Sequence, residues 1–356
     1  MSRPIEAVIH SAALKHNYQL IKRQAPTAKA FAVIKANAYG HGVERVCAAL
    51  PEADGFAILE LDAAIALRTQ GITQPILLLE GAFSPLEMQR CAQYQLMFAI
   101  HEPRHLQWLA DTELERPVDV FLKLNTGMNR LGFPAADVTS LVAQLQAMAN
   151  VASVTLMTHF ATADEPEQGI AKQWGNFQQH CADLNMPATL ANSAAIFAYP
   201  EVHAQWVRPG IALYGSSPFA HRSAQELDLH AAMTLRSRII AVQSLQAGDT
   251  VGYGASFIAD RAMKIGVVAC GYADGYPRHA PTGTPILVAG QLSRVLGRVS
   301  MDMLCVDLTD IADAQIDAEV ELWGQRLSID LVAQAAGTIA YELMCAIANR
   351  VPVRTN

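Results

Sequence analysis

Short, unbroken apolar runs, each closed by turn-forming or polar residues, recur through the first 215 residues. They are FAVI (31–34), GFAIL (55–59), ILLL (76–79), LMFAI (96–100), VDVFLKL (118–124), VTLMTHF (154–160), ATLAN (188–192) and WVRPGI (206–211). Strands exposed on one face alternate apolar and polar residues, whereas parallel strands covered on both faces read as continuous hydrophobic runs. Helical patterns lie between the runs. Val43, Val46, Cys47 and Leu50 share one helical face, as do Ile170, Trp174, Phe177, Cys181 and Leu184. Ser84-Pro85 followed by Glu87 has the form of a capping box with proline at the first helical position. Strand and helix alternating about eight times predict a (β/α)8 barrel over residues 1–228. The rival, an open doubly wound sheet, lacks a GxGxxG after any strand.

Beyond residue 228 the texture changes. MTLRSRIIAVQSL, MKIGVVACGY, PILVAG, SRVLGRVSM, MLCVDL and AEVELWG are β-rich and separated by glycine- and proline-bearing turns. They predict a mostly β domain over 229–356, with short helices near 328–336 and 339–347. At 356 residues and 51% hydrophobic content the chain can bury two cores. A formal charge of -7 with no lysine-arginine block argues against nucleic acid or an anionic membrane as partner. No run reaches the roughly 18 apolar residues of a membrane span, and MSRPIEAVIHSAALKHNYQLIK lacks the apolar segment of a secretory signal. The six cysteines have no CxxC spacing and read as free thiols of a cytoplasmic protein.

In a barrel the C-terminal strand ends carry the chemistry. Here those ends hold Lys35, Lys123, His159, Asn192-Ser193 and Arg208. A lysine closing a buried strand is costly as a cation and useful as an amine, because burial lowers its pKa and makes it a nucleophile for Schiff bases. Asn192-Ser193 opens a helical segment whose free N–H groups suit phosphate, and Gly210 lets a ligand approach the backbone. A lysine, a phosphate cradle and an arginine around one mouth point to a phosphorylated aldehyde cofactor, pyridoxal 5′-phosphate. A competing motif, HEPRH at 101–105, matches the zinc-protease pattern HExxH. That pattern requires one continuous helix, and Pro103 disfavours helical geometry at Glu102. His101 and His105 are therefore expected to lie across a strand-to-helix turn, with no metal site.

Taken in order, AVIKANAYGHG, FLKLNTGMNRLGF, MTHFATAD, NSAA, RPGIALYG, VGYGASF, GYADGYPR, GRVSMDM and YELMC resemble the motifs of the alanine racemases over essentially the whole chain. The resemblance implies a pyridoxal-phosphate enzyme that interconverts L- and D-alanine with two bases, supplying D-alanine for peptidoglycan or serving alanine catabolism. It implies that Lys35 carries the cofactor as a Schiff base and that Tyr39, Asn192, Ser193, Gly210, Ile211 and Tyr341 surround its phosphate end. His159 would pack beside the pyridine ring, Arg208 would face the ring nitrogen, and Arg130 would stand near the phenolic oxygen and the substrate carboxylate. Tyr253 matches the second base and Met301 a carboxylate-binding amide, both supplied by the other subunit of a homodimer. Tyr272 and Asp302 would line the entrance, and Lys123 matches a position carbamylated in many members. Where some members carry a histidine supporting the ring-facing arginine, this chain has Thr189, whose hydroxyl can still accept a hydrogen bond from Arg208. The rival readings are a lysine aldolase of the same barrel type, which needs no phosphate-holding set beyond its substrate's own, and a non-catalytic pyridoxal-phosphate carrier, which needs neither Tyr253 nor a β domain.

Overall fold

The computed structural model describes residues 3–356. The strand β1 (Glu6–Ile9) is followed by helix α1 (Ser11–Gln24), and then by β2 (Lys29–Val33), β3 (Gly55–Ile58), β4 (Ile76–Leu78) and β5 (Met97–Ile100). Next come β6 (Val118–Asn125), β7 (Val151–Met157), β8 (Ala188–Thr189) and β9 (Trp206–Val207). From β2 to β9 each strand pairs in parallel with the next, and β9 returns to β2 through Trp206 and Val207 against Lys29 and Ala30. This closes an eight-stranded barrel. The continuous apolar runs are its staves, buried on both faces. Phe31, Phe56, Ile58, Phe98 and Leu122 are completely inaccessible, and a fully buried phenylalanine is worth about 2–3 kcal/mol.

The helices lie where the periodicity puts them. Ser84 caps Pro85–Gln93 by accepting from the Glu87 N–H at 3.2 Å, while the Glu87 carboxylate accepts from the Phe83 N–H at 2.7 Å. Pro103 starts the helix Pro103–Asp111, and Glu102 before it is extended, so His101 and His105 do flank a turn.

The rest of the chain forms a largely antiparallel sheet built on the long strand β10 (Met233–Leu245). β10 pairs with β11 (Met263–Val268) and with Glu319–Trp323. It pairs also with β1, in the register Glu6 to Arg236. The chain's last strand, Val353–Thr355, lies parallel to β1. The first strand therefore belongs by pairing to the sheet of the second half, although it falls within the 1–228 span drawn from chain order. Among the described residues no helix is long and apolar enough to cross a membrane, and all six cysteines are free.

Candidate active site

A cavity of about 540 Å³ opens at the C-terminal mouth of the barrel. Lys35 enters it from the end of β2, Lys123 from β6 and His159 from the loop after β7. Asn192 and Ser193 follow β8, while Arg208, Gly210 and Ile211 follow β9. Arg130 and Tyr39 also line it, and Tyr341 closes one side from the helix Ala340–Cys345 of the second half.

The segment carrying Lys35 has an unusual backbone. Ala36, Asn37, Ala38 and Tyr39 all have φ between 52° and 53°, a left-handed turn of four residues that each carry a Cβ. Such a conformation costs about 1–2 kcal/mol per residue. Tertiary contacts offset the cost. Ala38 is fully buried, Tyr39 stacks on Tyr214 at 4.6 Å, and the buried His41 ring donates from Nδ1 to the Tyr39 and Ala38 carbonyls at 2.9 and 3.1 Å. Burial holds His41 at about 4, neutral at physiological pH. Gly40 ends the turn at φ 76°, where a Cβ would lie 2.1 Å from the Met344 carbonyl oxygen. The helix of the second half thus packs directly on the lysine-bearing loop.

The phosphate-cradle residues meet one another. Ser193 Oγ accepts from the N–H groups of Gly210, at 2.9 Å, and Ala212, at 3.3 Å. Asn192 caps the helix Ser193–Ala198 by accepting from Ala195 at 3.0 Å. A Cβ on Gly210 would lie 2.7 Å from the Tyr39 hydroxyl, so any larger residue here would displace Tyr39 from the corner.

Arg208 is buried and oriented from several sides. Nη1 donates to Thr189 Oγ1 at 2.5 Å, and Nη2 donates to the carbonyls of Thr158 and Leu190 at 2.6 and 3.1 Å. Thr189 therefore accepts from Arg208 as its hydroxyl allows. Burial lowers the guanidinium to about 9, which leaves it protonated at neutral pH. Nη2 also lies 3.4 Å from His159 Nδ1. Burial, then Arg208 and the other cations, hold that imidazole neutral, well below its usual range. Lys123 is lowered to about 8 by burial and by Arg208 and Arg130.

Glu80, which also lines the cavity, is the carboxylate whose attraction opposes these effects on Lys123. It closes the run ILLLE, so reading strand ends would have found it had the run been extended by one residue. His101 holds the Glu80 segment from outside, donating from Nε2 to the Glu80 carbonyl at 2.9 Å. That contact gives the first histidine of HEPRH a structural task.

Tyr253, Tyr272, Met301 and Asp302 do not line this cavity. They stand on the second half, where Tyr253 is 73% exposed and Met301 53%. Tyr272, Met301 and Asp302 are held together: Tyr272 N–H donates to the Ser300 carbonyl at 3.0 Å and Ala273 N–H to the Met301 carbonyl at 2.9 Å. Beneath them lies Asp274, a buried carboxylate that no motif reading singled out. It accepts from Arg3 at 2.5 Å, from Arg350 at 2.7 Å and from the Gly271 N–H at 2.9 Å. Arg350 reaches on to the Asp302 carboxylate at 2.6 Å, and Arg3 to the Asp302 carbonyl. Burial alone would raise the Asp274 pKa; these bonds bring it below the ordinary carboxylate value.

Comparison with known proteins agrees with the geometry. The family profile of the alanine racemase N-terminal domain matches residues 9–218, and that of the C-terminal domain matches residues 232–355. An alanine racemase of Nitrosospira multiformis is 54% identical over 352 residues, covering 98% of this chain and 99% of the relative. A protein of Klebsiella aerogenes named as a catabolic alanine racemase is 51% identical over the full length of both chains. Among solved structures, the biosynthetic alanine racemase of Pseudomonas aeruginosa superposes with a TM-score of 0.96 at 45% identity, covering 99% of each chain. Matched along both of its halves in sequence and in shape, the chain belongs to the alanine racemase family, amino-acid racemases of the isomerase class.

Proposed function

We propose that this protein interconverts L- and D-alanine, using pyridoxal 5′-phosphate in the barrel mouth and one base on each face of the substrate. The observation that carries the reading is the charge of the cavity. Lys35, Lys123, Arg130 and Arg208 line it against only Glu80 and Asp164. Such an excess of cations around one amine suits an anionic phosphate ester and an amino-acid carboxylate. The Ser193–Gly210 corner fits the same group, because the Ser193 hydroxyl, accepting from the Gly210 and Ala212 N–H groups, keeps its own hydrogen to donate and the glycine keeps the approach open.

When bound, pyridoxal phosphate supplies the electron sink that makes the substrate α-proton removable. Ser193, with the N–H groups of Gly210 and Ile211, would hold the phosphate beside the hydroxyls of Tyr39 and Tyr341. Asn192 fixes the helix start from which Ser193 projects. His159 would pack on the ring. Arg208 would face the ring nitrogen, and a guanidinium that stays protonated has no proton to give, so the sink would be a restrained one. Arg130, with the Met301 amide of the partner subunit, orients the carboxylate. Lys35 moves the proton on the D-alanine face and Tyr253 of the partner subunit moves it on the L-alanine face. Tyr272 and Asp302 line the way in. Lys123, whose amine is pulled to about 8, is a fit acceptor for carbon dioxide; as a carbamate it would turn from cation to anion beside Arg130. The D-alanine serves peptidoglycan synthesis or enters alanine breakdown, and the protein acts in the cytoplasm.

Borohydride reduction of protein supplied with the cofactor, followed by peptide mapping, tests the assignment. The pyridoxyl group should appear on the peptide containing Lys35. A label elsewhere, or no visible chromophore before reduction, would sink it.

A further inference from the structure

A second cluster of ligand-type side chains lies apart from the cavity, where α1 meets the segment leading into β10. The nearest ligand atoms of His16, Asp228 and His230 all lie within 4.8 Å of one another. His16 Nε2 is 3.3 Å from Asp228 Oδ2, and His230 Nε2 is 3.8 Å from Asp228 Oδ1. The two imidazoles stack at 3.7 Å with planes 2° apart, so one ring must turn about χ2 before both in-plane lone pairs reach one ion. We propose that these three residues bind a divalent transition-metal ion of the zinc type.

The spacing fits. Bonds of about 2.0–2.1 Å to nitrogen and oxygen in a tetrahedral site put neighbouring ligands about 3.4 Å apart. Two imidazoles and a carboxylate suit zinc or its neighbours, whereas magnesium and calcium prefer an all-oxygen shell. A water would complete the set.

The backbone beneath the cluster is already ordered. Buried Asn17 donates from Nδ2 to the His230 carbonyl at 2.8 Å, and its Oδ1 accepts from the His230 N–H at 2.8 Å. Asp228 is held in the left-handed region at φ 59°, and its carbonyl accepts from His16 Nε2 at 2.7 Å. On metal binding that donor bond is given up: the His16 ring changes tautomer, its proton moving from Nε2 to Nδ1 by exchange with water, and turns the Nε2 lone pair to the ion. The competing cation is Arg23, whose Nη2 stands 3.8 Å from Asp228 Oδ2. An ion here would tie the first barrel helix to the segment that crosses into the second half.

Titration calorimetry of the full chain with zinc chloride tests this, with thermal unfolding as a second readout. We expect one zinc per chain and a rise in Tm on adding zinc. His16→Gln and His230→Gln should each weaken binding at least tenfold and abolish the Tm rise, while racemase activity without added zinc stays unchanged as a check on folding. Arg23→Ala removes the competing cation and should tighten binding several-fold. Wild-type protein that takes up no stoichiometric zinc would overturn the proposal. So would a His16→Gln/His230→Gln double variant that binds zinc as the wild type does, which would move the ion elsewhere, for example to His101 and His105. An Arg23→Ala variant with unaltered or weaker affinity would also refute the placement of the ion beside Asp228.

Discussion

Lys123 carries its charge against its surroundings. It is 7% exposed, Arg208, Arg130 and Lys35 act against its protonation, and Glu80 alone favours it. Its pKa falls from 10.5 to about 8 in the folded chain. Between those two values the unfolded chain binds more protons than the folded one, so stability rises with pH there. Below pH 8 the folded state bears the full cost of the charge, about 3 kcal/mol. Lys123→Met should therefore be more stable than wild type at pH 7, with the gap closing as pH rises from 8 to about 10.5. Urea unfolding of the cofactor-free protein in carbonate-free buffer would show this, and parallel stability profiles for the two proteins would refute it. Residue types at strand ends were legible because the strand pattern announces where strands end. The magnitude of the effect at Lys123 was not, because it comes from burial first and then from charges 7 to 88 positions away, both of which arise only when the barrel closes.

At the scale of elements, the eight barrel strands and the capped helix after Ser84 were legible because burial on both faces and cap chemistry leave local marks. The left-handed turn after Lys35 was not. Alanine favours right-handed helix, so nothing in Ala-Asn-Ala-Tyr announces four consecutive positive φ angles. They are imposed by Tyr214, His41 and Met344, none of which belongs to the turn. The membership of β1 in the second sheet was hidden likewise, since four residues carry no record of their partner. If the turn stores strain, Ala36→Gly should stabilise the protein by about 1 kcal/mol, because glycine meets no Cβ penalty at φ 52°. Ala36 is exposed, so little packing is lost. Ala36→Val, β-branched, should instead cost about 1–2 kcal/mol. Midpoints of urea denaturation for the pair would decide; a glycine variant less stable than wild type would mean that the turn holds no strain to relieve.

At the scale of the whole molecule, the groups assigned to one reaction are divided between two surfaces. Lys35 lies inside the barrel cavity, whereas Tyr253 stands 73% exposed on the second half and outside that cavity's lining. A tyrosine so exposed, with Tyr272, Met301 and Met303 also accessible on the same half, is what a site completed by a second copy requires. In a symmetric dimer each of two sites would then take Lys35 from one chain and Tyr253 from the other. Homodimers of Lys35→Ala and of Tyr253→Ala should both be nearly inactive, because each lacks one base in both sites. Refolded together, the two variants form heterodimers in which one site collects both defects and the other is whole. Random pairing makes about half of the dimers mixed, each with one good site in two, so activity should return to about a quarter of wild type if the sites act independently. Were both bases drawn from the same chain, every site in every pairing would lack one of them. A refolded mixture that contains heterodimers by mass, yet is no more active than its parents, would therefore rule out the shared site.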